Sequence, residues 1–126
     1  MNVNEYLLGA LRAEGLAHVF MVPGGLIDGF YPALARTPGL TPIVATHEAG
    51  AAYMADGYAR ASGRFGACLV IGTPGLTNVM TAMAAALTDG SPVLVVSGEM
   101  PSTWEGRGAF QDASIASGTD DQALMR

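Results

Sequence analysis

Lysine is absent from this sequence, and basic charge is nowhere concentrated. Six arginines are scattered through 126 residues against eleven acidic side chains, for a net charge of −5. That excludes the electrostatic footprint of a nucleic-acid-binding domain and leaves nothing to hold an anionic membrane surface. Cysteine occurs once, as Cys68 inside an apolar run, so no disulfide can close within the chain and the thiol reads as a small buried hydrophobe. A reducing, cytoplasmic setting is the expectation. The N-terminus lacks the basic start and long apolar stretch of a secretory signal. No apolar run reaches the roughly 18 residues that a membrane helix needs. The two histidines, His18 and His47, stand apart with no His/Cys cluster, which argues against a catalytic zinc site. There is no G-x-S-x-G elbow, no Walker loop and no G-x-G-x-x-G fingerprint.

What is present is apolar: 50% of residues are hydrophobic and 13% charged. For one short domain that composition means either unusual burial or, as the preferred reading, apolar surface covered by further chain or by a partner subunit. Short β-type runs alternate with helical runs. Residues 4–14 place Tyr6, Leu7, Ala10 and Leu11 on one helical face, with Gly15 as the stop. Residues 18–22 read as a strand closed by Pro23-Gly24-Gly25, 26–35 as a helix and 41–46 as a second strand. Glu48–Ser62 reads as a small-residue helix closed by Gly63, its alanines and glycines allowing close approach. Strands are expected at 67–72 and 92–97, with a helix between them running to about Thr88. Continuous apolar strands separated by helices predict a doubly wound parallel α/β sheet covered on both faces. Ligands on such a sheet bind beyond the carboxyl ends of the strands. From Met100 the chain turns polar and Gly- and Ser-rich, ending in DDQALMR, which can begin another helix. No closing strand follows, so the expectation is an incomplete domain or a piece of a longer protein.

Local chemistry leaves several residues with two readings. Gly72-Thr73-Pro74-Gly75 follows a strand and opens a helix, so it is either a tight turn or a cradle of N–H groups for an anion, although Pro74 removes one donor. Glu48 is either a carboxylate stabilising a helix N-terminus or a chemical group. His47 reads first as a hydrogen-bonded structural histidine. The loop Trp104–Gln111 either binds a ligand or covers the core. Glu99 and Glu105 read as solvated.

The ordered set of motifs narrows these alternatives. Val22-Pro23-Gly24-Gly25, then HEAGAAYMADGYAR from His47 to Arg60, then Gly72-Thr73-Pro74-Gly75-Leu76-Thr77-Asn78, then Ala109-Phe110-Gln111-Asp112 resembles the N-terminal, pyrimidine-binding (PYR) domain of acetolactate synthase-like thiamine-diphosphate enzymes. The likeness spans nearly the whole chain. It departs at Thr73, where many members have Ser-Gly-Pro-Gly against Gly-Thr-Pro-Gly here. The resemblance implies that Glu48 is the carboxylate that hydrogen-bonds N1′ of the aminopyrimidine. That favours the imino tautomer, whose 4′ nitrogen takes the thiazolium C2 proton before attack on a 2-oxo acid. It also implies that Gly25, Pro74, Asn78 and Gln111 lie against the cofactor, and that Gly25, Phe110 and Gln111 line the substrate pocket. A carboxylate enclosed by a cofactor shares a proton more readily near neutrality. The diphosphate and its Mg²⁺ are implied to be held by a diphosphate-binding domain or subunit outside this chain, within a homodimer or homotetramer, and no metal ligand is expected here. FAD, acyl donor and acceptor are not legible. The alternatives are a non-catalytic PYR remnant serving assembly and a small α/β anion-binding protein.

Overall fold

The computed structural model describes residues 1–125. In chain order the elements are α1 (Val3–Ala13), β1 (His18–Met21), a 3-10 turn (Gly25–Ile27), α2 (Phe30–Ala35), β2 (Thr41–Val44), α3 (Glu48–Ser62), β3 (Gly66–Ile71), α4 (Pro74–Thr88), β4 (Val93–Gly98), a second 3-10 turn (Ile115–Ser117) and α5 (Asp121–Leu124). All strand pairs are parallel, in the order β2-β1-β3-β4. Phe20 stands opposite Cys68, and β3 pairs with β4 from Gly66↔Val93 to Ile71↔Gly98.

Side-chain alternation along the strands divides the core into two layers. Val19 and Met21 of β1 with Ala67 and Leu69 of β3 face Leu8, Leu16, Ile27, Ala33 and Leu34 on the α1/α2 side. Cys68 and Val70 face Ala51, Ala52, Ala55, Val79 and Ala82 of α3 and α4 on the other side. The doubly wound parallel α/β expectation is met. Alanine makes the close approach on the second side: a Cβ at Gly66 would run into the Ala55 carbonyl, whereas one at Gly50 or Gly57 of α3 would meet nothing within 4 Å. The order of the strands reverses at β1, whose neighbours β2 and β3 follow in sequence on opposite sides. In sheets of this kind ligands bind at that switch point, above the carboxyl ends of β1 and β3.

Four details differ from the sequence pattern. The buried face of α1 carries Leu8, with Leu11 packed against the core, while Tyr6 is 64% exposed and Ala10 also faces solvent. Leu7, Leu8 and Leu11 offer two overlapping helical stripes, and packing against α2 chooses between them. The expected helix 26–35 breaks in two. Pro32 has no N–H to give the Asp28 carbonyl, which accepts from Tyr31 at 3.2 Å instead. β2 is an exposed edge, with Val44 62% accessible, because the six-residue α2 covers little of it. Pro42 is tolerated there for the same reason. Lastly, β1 and β2 stop one and two residues short of their expected ends, and β3 and β4 lie one residue earlier and later than expected. The terminal DDQALMR does open α5, capped by Asp120, whose carboxylate accepts the Ala123 N–H at 2.9 Å; Arg126 lies outside the described residues.

Candidate functional site

Three turns meet above the sheet. The first leads from β2 into α3. His47 is the N-cap, extended at φ −153°, and its Nδ1 accepts the Ala49 N–H at 3.1 Å, which fulfils the structural reading of that histidine. Glu48 is the first residue of α3, half-buried, with its carboxylate at the positive end of the helix. Asn78, one turn into α4, donates from Nδ2 to Glu48 Oε2 at 2.9 Å. Two residues 30 apart in sequence, each expected in the site, are thereby joined. Gly75 is buried against β3, where a Cβ would stand 3.0 Å from Ile71 Cγ1 and 3.3 Å from Val70 Cβ, so glycine there serves the close approach of α4 to the sheet, with the Glu48 Cγ in ordinary contact at 3.6 Å. Beneath the turn, burial and then the Glu48 charge push the Cys68 thiol up to about 12, which removes it as a nucleophile.

The second turn follows β1. A Cβ at Gly24 would overlap the Ile71 side chain, so Gly24 serves packing, whereas a Cβ at Gly25 would meet nothing within 4 Å. Nothing in the chain itself requires glycine at 25. Tyr31 pins this turn. Its hydroxyl accepts the Gly24 N–H at 2.7 Å and donates to the Gly24 carbonyl at 3.0 Å. A helix over 26–35 does not by itself single out Tyr31 for this contact; a tyrosine seven residues beyond Gly24 of the Gly-Gly turn is the signal in the sequence.

The third turn leads from β3 into α4. Pro74 is the first residue of α4. Thr73, the residue before it, sits at φ 43°, ψ −85°. A non-glycine residue in that region costs on the order of 1–3 kcal/mol. The Thr73 N–H donates to Asp121 Oδ2 at 3.1 Å, and its hydroxyl donates to the Gln111 carbonyl at 3.0 Å. With one N–H taken by the protein's own carboxylate and Pro74 offering none, the tight-turn reading wins over the anion cradle. Gln111 therefore reaches this turn through its backbone, itself at φ 66°, while Phe110 is 85% exposed. Asp112 anchors the same loop by accepting the Gly108 and Ser114 N–H groups at 3.2 and 3.1 Å, and the contacts with Ser114, then that with Gly108, hold its carboxyl below the usual range.

Other recesses lie elsewhere. One of about 190 Å³ is bordered by Glu99, Glu105, Asp112 and Asp121. Glu99, expected to be solvated, is exposed, yet partial desolvation and then the Asp121 charge raise its carboxyl. An apolar recess lies between Met21, Tyr31, Leu34 and the β2 edge. Among the described residues no group of three His, Cys, Asp or Glu could hold a metal ion. Among the same residues no helix is long and apolar enough to cross a membrane.

This geometry can be set against known proteins. Residues 1–123 match the family described as "Thiamine pyrophosphate enzyme, N-terminal TPP binding domain". The chain belongs to this family. It is similar to the acetolactate synthase large subunit of Buchnera aphidicola, 40% identical over 111 residues, or 88% of this chain and 19% of that protein. It is 41% identical over 115 residues to the acetolactate synthase isozyme 2 large subunit of Escherichia coli, covering 91% of this chain and 21% of the other. A probable acetolactate synthase large subunit of Methanocaldococcus jannaschii is 44% identical over 108 residues, 86% of this chain and 18% of its own length. The chain thus spans about a fifth of the length of the curated relatives it matches. It is a pyrimidine-binding domain of the kind found in thiamine-diphosphate enzymes similar to acetolactate synthase.

The residues present fit the aminopyrimidine end of that cofactor. Glu48 Oε2 is steadied by Asn78, and its Oε1 accepts from no described residue. A carboxylate so held, at the carboxyl edge of a parallel sheet, is an acceptor for a ring N–H.

Proposed function

We propose that Glu48 activates thiamine diphosphate through N1′, in an enzyme that decarboxylates or ligates a 2-oxo acid as its acetolactate synthase relatives' names suggest. The supporting observation is the Asn78–Glu48 bond at 2.9 Å, which presents a half-buried carboxylate at the sheet's carboxyl edge. In this reading Glu48 would share a proton with N1′ and accept the hydrogen bond back from that N–H, and Asn78 keeps the carboxylate aimed. Pro74 flanks the pyrimidine edge, and Gly25 leaves space for cofactor and substrate. Gln111 reaches cofactor or substrate oxygens, with Phe110 beside it over the substrate pocket. When bound, the cofactor supplies the electron sink, and the protein supplies orientation and control of the tautomer.

The diphosphate and Mg²⁺ belong, in the same reading, to a diphosphate-binding domain or subunit, and the complete site forms in a homo-oligomer in the cytoplasm. The test is Glu48→Gln in the assembled enzyme, read by deuterium exchange at the cofactor's C2. Exchange slowed by about two to four orders of magnitude, with the fold unchanged, is the expected result. Unchanged exchange refutes the role of Glu48 and leaves the non-catalytic, assembly reading.

A further inference from the structure

Thr73 occupies a backbone conformation that nothing local explains. Its φ of 43° and ψ of −85° approach the strained γ-turn of positive φ. Such a turn is closed by an N–H two residues on from the accepting carbonyl, and here that residue is Pro74, which has none. A residue preceding proline is also driven toward extended backbone, away from where Thr73 sits. Glycine would adopt that positive φ without strain, and threonine does not.

The compensation comes from far along the chain. Asp121 is 6% exposed, and its Oδ2 accepts the Thr73 N–H across 48 residues. The Thr73 hydroxyl donates to the Gln111 carbonyl across 38 residues. Asp121 is itself held by its own N–H, which donates to the Ala113 carbonyl at 3.4 Å. The clamp thus grips Thr73 from both its backbone and its side chain. Because α4 starts at the next residue, the setting of Thr73 decides where the first turn of that helix points, and hence whether Asn78 reaches Glu48.

We propose that Asp121 is a positioning residue, which holds the Thr73–Pro74 turn against its intrinsic preference so that Asn78 can present its amide to Glu48. The functional meaning of the clamp rests on the reading of Glu48 given above; the clamp itself does not. Without Asp121, Thr73 relaxes toward extended backbone and α4 frays at its first turn. With glycine at 73 the turn stands without help.

The test is nuclear magnetic resonance on this chain, with no cofactor added, reading the Asn78 side-chain amide and the exchange of the residue-73 N–H. D121A is expected to move the Asn78 amide signals and to speed residue-73 exchange about tenfold or more. D121N, whose side-chain oxygen still accepts, is expected to restore both. In a T73G background, D121A is expected to leave the Asn78 signals in place. Asn78 signals unmoved in D121A, or moved equally in D121A and T73G/D121A, would overturn the proposal; in the second case Asp121 merely docks the tail. The C2 exchange of Glu48→Gln in the assembled enzyme tests the Glu48 reading with the clamp left intact, so failure of that reading and failure of the clamp are distinguishable.

Discussion

Two strand-to-helix turns in this molecule open helices of 15 residues each, and they are held in opposite ways. The turn into α3 is self-contained: His47 is extended, caps the helix with its own side chain, and delivers Glu48 to the first helical position. The turn into α4 has no side-chain cap and a strained Thr73, and its two fastenings come from Gln111 and Asp121. One side of the candidate site is thus encoded within a tripeptide. The other depends on chain that arrives some forty residues later. The difference teaches that the carboxylate of a candidate site can be locally secure while the group that orients it is only globally so.

That contrast can be broken at several points. Glu48→Gln carries the largest expected effect, the loss in C2 exchange already given, and should leave the urea midpoint nearly unchanged because His47 supplies the cap. A large fall in stability would show that the α3 turn is less self-contained than it looks. Next is Cys68, beneath the Glu48 turn. With its thiol pushed up to about 12, the folded chain at pH 8 holds roughly a thousandth of the thiolate of an ordinary cysteine, and burial also shuts reagent out, so alkylation should be suppressed at least that much until the chain unfolds. The sign for stability follows. The folded state favours the protonated thiol, so this contribution is complete below about pH 9 and is lost as pH rises toward 12. Rapid alkylation of the native chain would mean that α3 opens readily.

Asn78→Ala should lower cofactor affinity in the assembled enzyme by about tenfold, the worth of one hydrogen bond to a charged group. Calorimetric titration measures it, and an unchanged affinity would detach α4 from the site. The smallest effect is His47→Ala, which should cost about 1 kcal/mol of stability by urea denaturation, as loss of an N-cap does. A much larger loss would mean that His47 holds more than its own helix.

The elements themselves were legible at short range. Gly15 and Gly63 each sit at positive φ just past a helix, where the pattern places its stops, and the side chains of Ala67 to Val70 alternate between the two layers. Glu48 and Asn78 were legible as members of a motif, but their contact was not, since 30 residues separate them and only the packing of α3 on α4 brings them together. The rotation of α1 and the break before Phe30 were missed for related reasons. Two apolar stripes compete on α1, and Pro32 limits a helix only when its hydrogen-bond partner is counted. Asp121 carried no signal as a residue of the site, because a carboxylate near a helix start reads as a cap.

The sequence alone determined the order of strands and helices, the parallel doubly wound sheet and the family, because turn residues, side-chain periodicity and contiguous motifs are written within windows of a few residues. Tertiary structure alone decided which face of α1 is buried, that β2 is an exposed edge, that Asn78 meets Glu48, and that Thr73 is held in a conformation it does not prefer. Each of those is a balance between surfaces or groups distant in sequence, and such a balance exists only once the chain has closed on itself.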